Sequence, residues 1–393
     1  AFKLLLGHGV TSVTSMQDES KLAWAVQLSG QSARNAIDAP RIQPWVDLAV
    51  STPEEARAAV KRVHAAGAVG IGEGSSGTPD AAKAIFAEAN RLGMRVSWHM
   101  NPRQASRLNA LDAAKAGMHG LANWYNLPEA MLAGGTHQEL PADYSFSDVR
   151  ARFRASGRLW KQTAPPGSET YERVIKEFLA LDFTFEPTFS VYEANRDYMG
   201  TRNAEWNRRF LHPVLEKEFT PVQNGRFTHF YDWSSTDEVE WRNNFRLWGQ
   251  FVNDYKNRGG RVVAGSDAGY MWTTYGFALI RNLEMMQEAG FTPFEALLTA
   301  TAKSAEHLKL ADKVGTVEVG KLADLVVVRG NPLENLKVFY GTGFDSLAAD
   351  GRIVRGGGVQ TTIKDGIVYD AAKLLAEVEQ SVQQARAQRG AAN

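Results

Sequence analysis

The feature that most constrains this chain is an alternation of short β-branched runs with capped helical segments. "GVTSVTSM" (9–16) reads as a strand, and so do "WVDLAV" (45–50), "VGIGEG" (69–74), "MRVSWHM" (94–100), "MHGLANWY" (118–125), "FTFEPTF" (183–189) and the start of "RVVAGSDAGY" (261–270). Between them lie helical patterns. In "STPEEARAAVKRVHAAGA", Ser51 or Thr52 can cap, Pro53 suits the first turn and Glu54 and Glu55 follow. "TPDAAKAIFAEANRLG" (78–93), "SETYERVIKEFLALD" (168–182) and the long "EVEWRNNFRLWGQFVNDYKNRGG" repeat the theme. Strands alternating with helices of this length build parallel βαβ units. The expected fold is α/β, a (β/α)₈ TIM-like barrel of which seven strands are visible, with an insertion at about 191–237. The opening "AFKLLLGHG" reads as a helix end running into a strand, so an eighth strand is expected upstream. A doubly wound open sheet is the alternative, but no Gly-rich phosphate turn follows any strand, and "GIGEGSSG" has the wrong spacing for one.

Composition narrows the function. Lys plus Arg and Asp plus Glu each number 44, so there is no net basic charge to favour nucleic acid. No apolar run approaches the length of a membrane span. The 393 residues include no cysteine, which excludes thiolate nucleophiles and Cys-based metal sites and mildly favours an extracytoplasmic compartment.

Two residues stand where barrel chemistry is expected, at the C-terminal ends of strands: His99 in "VSWHM" and Asp267 in "AGSDAG". A carboxylate at the end of an apolar strand needs a partner, which a metal ion, an Arg or a proton in transit would each supply. Neutral imidazole is a common zinc ligand, although a lone His on an apolar strand is more often a satisfied core residue. Trp124, Tyr192 and Tyr270 fall at or just after strand ends, and Arg196 could clamp a substrate carboxylate with its planar fork. Core and lid packing is the competing reading for each aromatic.

The C-terminal third carries a resemblance. "TATAKSAEHLKL", "VGTVEVGKLADLVVV" and "GNPLENL" resemble the C-terminal signature of the amidohydrolase superfamily, and "GHGVTSVTSM" and "VVAGSDAG" extend the likeness through most of the chain. The branch it most resembles is imidazolonepropionase-like and prolidase-like. The resemblance implies a barrel over 1–320, a β-sandwich portion over 321–370, and a C-terminal helix and tail over 371–393. It implies a small-molecule substrate, hydrolysis of an amide-like C–N bond, and Zn²⁺ or another divalent metal. Asp267 matches the carboxylate that touches the metal and takes a proton from its water, and His99 matches a metal-binding His. Glu73 falls near the family's bridging position, while Asn123 stands where the family has a His and joins Trp124 as an expected substrate contact. The family's His-x-His pair would lie on the strand expected upstream, so a further N-terminal segment or chain is an expected partner. The competing function is a non-catalytic or incomplete barrel, either a degenerate relative that binds a ligand or one piece of a split enzyme.

Overall fold

The computed structural model describes residues 1–74, 77–135, 138–142, 144–145, 147–220 and 230–391. Seven strands form one sheet: β1 Ser12–Asp18, β2 Arg41–Leu48, β3 Gly70–Gly74, β4 Arg95–His99, β5 Gly120–Ala122, β6 Thr184–Glu186 and β7 Arg261–Val262. They lie side by side in chain order, each parallel to the next. A doubly wound sheet reverses its strand order at a switch point. This sheet never reverses, so it winds in one direction, as a barrel does. Among the described residues, β1 and β7 are its edge strands.

The crossovers form where the sequence places caps. Thr52 and Glu55 make a reciprocal capping box at the helix Pro53–Ala65, with Pro53 in the first turn. That helix buries Ala56, Ala59, Val60 and Val63, a spacing that keeps one face on the sheet. Ser234 and Asp237 make a second box at the helix Ser235–Asn257. Its buried stripe runs through Trp241, Phe245, Trp248, Val252 and Tyr255. The Tyr255 hydroxyl donates to the Phe183 carbonyl at 2.7 Å and so fixes this helix against the approach to β6.

Small residues on the strands make room for large neighbours. A Cβ on Gly70 would stand 2.3 Å from the Trp45 indole, and one on Gly120 would stand 3.0 Å from His307 Cε1. The barrel interior is thus filled by side chains from neighbouring elements, as packed barrels are. Within 189–219 the insertion is a run of short helices, Phe189–Tyr192, Glu193–Arg196, Tyr198–Arg202, Glu205–Phe210 and Pro213–Phe219. The last barrel strand is shorter than the sequence suggests. Only Arg261 and Val262 pair as strand, and the chain then runs on irregularly to Asp267.

Beyond the barrel lie β8 Leu325–Val328, β9 Phe344–Leu347, β10 Ile353–Gly356, β11 Val359–Lys364 and β12 Ile367–Asp370. They form two small antiparallel sheets, β12-β11-β8 and β10-β9, followed by the helix Ala371–Ala391. A charged seam joins them to β2. Arg41 reaches Asp324 at 2.7 Å and also pairs with Asp365. The fully buried Lys364 ammonium donates to the Ser32 carbonyl at 2.8 Å and to Asn35 Oδ1 at 2.9 Å. A buried ammonium needs such partners, and here backbone carbonyls supply them.

Candidate active site at the C-terminal ends of the strands

The strand register sets one level of the barrel. Glu73 pairs with His99, His99 with Ala122, and Ala122 with Glu186. His99, Ala122 and Glu186 close their strands at the same end, and Glu73 stands one residue before the end of β3. The chain after β7 reaches that end too, because the Val263 N–H donates to the Phe185 carbonyl and the next residues climb to Asp267. Glu73 holds the register place beside His99, but its side chain lies outside those described.

Tyr125 joins the pieces. Its ring centroid lies 4.8 Å from that of His99 and 6.4 Å from that of Tyr192. Burial raises the Tyr125 phenol above its ordinary value, and the negative charge of Asp267 adds to the shift. The same charge reaches Tyr192 and Tyr275. Asp267 itself is exposed, with φ +47°, a left-handed conformation that Asp tolerates better than most residues.

The residue that sequence reasoning missed is Glu186. Its carboxyl is pushed up to about 8, first by burial and then by the charge of Asp267. Two neighbouring carboxyls resist ionising together, so the pair tends to hold a proton. Gly265 makes this approach possible, since a Cβ there would stand 1.9 Å from Glu186 Oε1. The available signal was positional: Glu186 ends a strand, as His99 does.

The remaining expected contacts divide. Asn123 (φ +64°) is buried, and its Oδ1 accepts from the Thr188 hydroxyl, so it shapes the loop after β6. Trp124 is fully buried among Tyr125, Tyr192, Trp241 and Trp248, a core position. Tyr192 is buried beside Tyr125, and Tyr270 is exposed. Arg196 does not act as a free clamp. Its guanidinium pairs with Glu288 at 2.7 Å and lies 4.2 Å from the centroid of the Phe245 ring. An Arg with both a carboxylate and an aromatic face is already committed.

Among the described residues, no group of three or more His, Asp or Glu side chains is arranged to hold a metal ion. A catalytic zinc normally takes three protein ligands. His99 and Asp267 alone therefore do not fit one. The other described histidines do not complete the set. His119 lies at the far end of β5 and accepts from the Val96 N–H at 3.1 Å, His64 is exposed on its helix, and His212 caps the helix Pro213–Phe219. His229 lies outside the described residues. A cavity of about 250 Å³ borders Ser190, Glu193, Trp272 and Arg281, next to the loops that carry Asp267. A larger one of about 700 Å³ lies between the first helical turn and the C-terminal helix, around Lys3, Asp38 and Glu377. Chemistry, not cavity size, marks the strand ends as the candidate site.

A singly wound parallel barrel with carboxyls at its C-terminal mouth defines a class of enzyme scaffold, and sequence comparison narrows it. Residues 250–368 match the amidohydrolase family model. Asp267 lies in the matched part. A 5'-deoxyadenosine deaminase of Methanobrevibacter smithii is 32% identical over 109 residues, which are 27% of this chain and 23% of the relative. An imidazolonepropionase of a Geobacillus species is 37% identical over 82 residues, 21% of this chain and 19% of the relative. The chain thus matches less than a quarter of the length of either curated relative. Solved structures agree on the fold. A bottromycin amidohydrolase superposes with a TM-score of 0.62 at 17% identity, over 97% of this chain and 76% of that one. A Xaa-Pro dipeptidase gives 0.58 at 18% identity, over 93% and 77%.

Proposed function

We propose that this protein is a hydrolase of amide-like C–N bonds in a small-molecule substrate, with Asp267 taking the proton of the attacking water. The observation that carries this reading is the carboxyl pair Asp267 and Glu186 beside His99 and Tyr125, on a segment matching the amidohydrolase family. Exposed Asp267 meets solvent, and Glu186 behind it retains its proton up to about 8. As water oxygen bonds to the carbonyl carbon, its proton passes to Asp267. As the C–N bond breaks, Glu186 supplies a proton to the departing nitrogen. This division of labour follows from the two environments, one open and one recessed. The superfamily leads one to expect zinc or a related divalent ion, with His99, Asp267 and Glu73 as its ligands. The described side chains do not assemble such a site, so the proton steps are assigned to the carboxyls alone.

The test is release of free amine from N-acyl amino acids, Xaa-Pro dipeptides and cyclic amides, with and without added zinc, beside Asp267→Asn. Turnover abolished by the substitution supports the assignment. No turnover of any of them under either condition would overturn it. A second reading, a ligand-binding relative without catalysis, is favoured by the lack of three converging donors among the described residues. It predicts saturable binding of such amides with no product.

A further inference from the structure

Four buried side chains link the two segments that carry Glu186 and Asp267. Asn123 follows β5, Thr188 and Ser190 follow β6, and Asn282 belongs to the helix Phe277–Glu288. None of the four is more than 4% exposed. Asn123 holds the chain after β6 twice. Its N–H donates to the Glu186 carbonyl at 2.9 Å, and its Oδ1 accepts from the Thr188 hydroxyl. The left-handed backbone at Asn123 (φ +64°) lets amide and side chain reach the same loop, and Asn tolerates that conformation well.

The same loop reaches the other carboxylate. The Ser190 N–H donates to Asn282 Oδ1 at 3.3 Å, and the Ser190 hydroxyl donates to the Ser266 carbonyl at 3.2 Å. Ser266 directly precedes Asp267. Between the two links, Phe189 is fully buried, its ring centroid 4.5 Å from that of Trp248 and 5.0 Å from that of Phe245. The stretch 186–190 thus starts at one carboxyl and ends on the neighbour of the other, bonded at every second residue. Asp267 needs such support, because strand pairing in β7 stops at Val262. Asn123 Oδ1 and the Ser190 hydroxyl are committed to protein partners, which suits them to placing the carboxyls rather than to meeting substrate. Removing one partner of a buried hydrogen bond costs more than the bond itself contributes, so each link resists opening.

We propose that Asn123, Thr188 and Ser190 are positioning residues that together set the separation of Glu186 and Asp267 and, on the hydrolase reading above, thereby govern kcat. Three substitutions each open one link. Asn123→Gly keeps the left-handed backbone and removes the acceptor, Thr188→Val exchanges the hydroxyl for a methyl, and Ser190→Ala releases the Ser266 carbonyl. Crystals of each should show Asp267 displaced from Glu186 by about 1 Å, a misplacement that can cost catalysis on the order of 10²-fold. Thr188→Ser, which keeps the hydroxyl, should show no displacement. With the amides named above, kcat should fall by about 10–10²-fold in the three variants while KM stays nearly constant, and Thr188→Ser should recover most of the loss. Asp267 undisplaced in all three crystal structures would overturn the proposal, as would equal losses in Thr188→Val and Thr188→Ser. A raised KM at constant kcat would overturn it too, since these groups would then be touching substrate. If the wild-type protein turned over no amide, the hydrolase reading alone would fall, and the crystals would still decide the clamp. Should Asn123→Gly or Thr188→Val fail to fold, Ser190→Ala, the smallest change, carries the crystallographic test.

Discussion

The two ends of this barrel are built on the same strands and carry opposite chemistry. β4 starts with Arg95 and ends with His99, and the chain that starts β7 with Arg261 reaches Asp267. At the mouth, carboxyls crowd one another and aromatic rings surround them. At the base, Arg95 and Arg261 act on the buried His307 imidazole, and Arg261 is itself paired with Asp182 and Glu306. Burial acts on both, but with opposite consequences: it keeps a proton on Glu186 and keeps one off His307, held down to about 3. One scaffold can therefore tune an acid and a base by position alone.

The sharpest way to break the comparison is at the mouth. Asp267→Asn should lower turnover by about 10²–10⁴-fold if Asp267 is the general base, with little change in thermal midpoint. A stability loss matching the activity loss would place Asp267 in the fold rather than the chemistry. Next comes the layer between the ends. Gly70→Ala should destabilise by about 1–3 kcal/mol in chemical denaturation, because the new methyl drives into the rigid Trp45 indole.

The two ends should also respond oppositely to pH. Glu186 is raised from 4.5 to about 8, so the folded state holds a proton the unfolded state has lost, and its contribution falls as pH rises through that window. His307 is lowered from 6.5 to about 3, so its contribution is lost as pH falls from 6.5 toward 3. Denaturation across pH should show Glu186→Gln flattening the alkaline limb and His307→Gln the acid limb. If both substitutions altered the same limb, the contrast between the ends would collapse. The smallest effect should come from a site touching neither end: Thr52→Ala removes a cap from the helix Pro53–Ala65 and should cost about 1 kcal/mol at every pH.

Much of the barrel was legible because strand and helix periods are local. Thr52, Pro53 and Glu55 announce a helix start within four residues, and the structure uses each of them. The positions of His99 and Asp267 were legible because each follows an apolar run: His99 ends β4, and Asp267 lies five residues past the end of β7. Glu186 was not, because what distinguishes it is a carboxyl more than eighty positions away and a glycine that lets it approach. Arg196 misled for the same reason: nothing near it in the sequence reveals Glu288 or the Phe245 ring. Trp124 and Asn123 follow β5 as expected, yet loop conformation turns both inward.

The brevity of β7 has a mechanical consequence. With only Arg261 and Val262 in the ladder, Asp267 hangs from a five-residue cantilever fastened at separate points. The Ala264 N–H donates to the Thr299 carbonyl, and the Ser190 hydroxyl clips the Ser266 carbonyl at 3.2 Å. A strain applied to the helix Pro293–Ala300 is therefore felt at the carboxylate without passing through the sheet. Deuterium uptake at the single Ala264 amide would serve as a gauge of how firmly that arm is held.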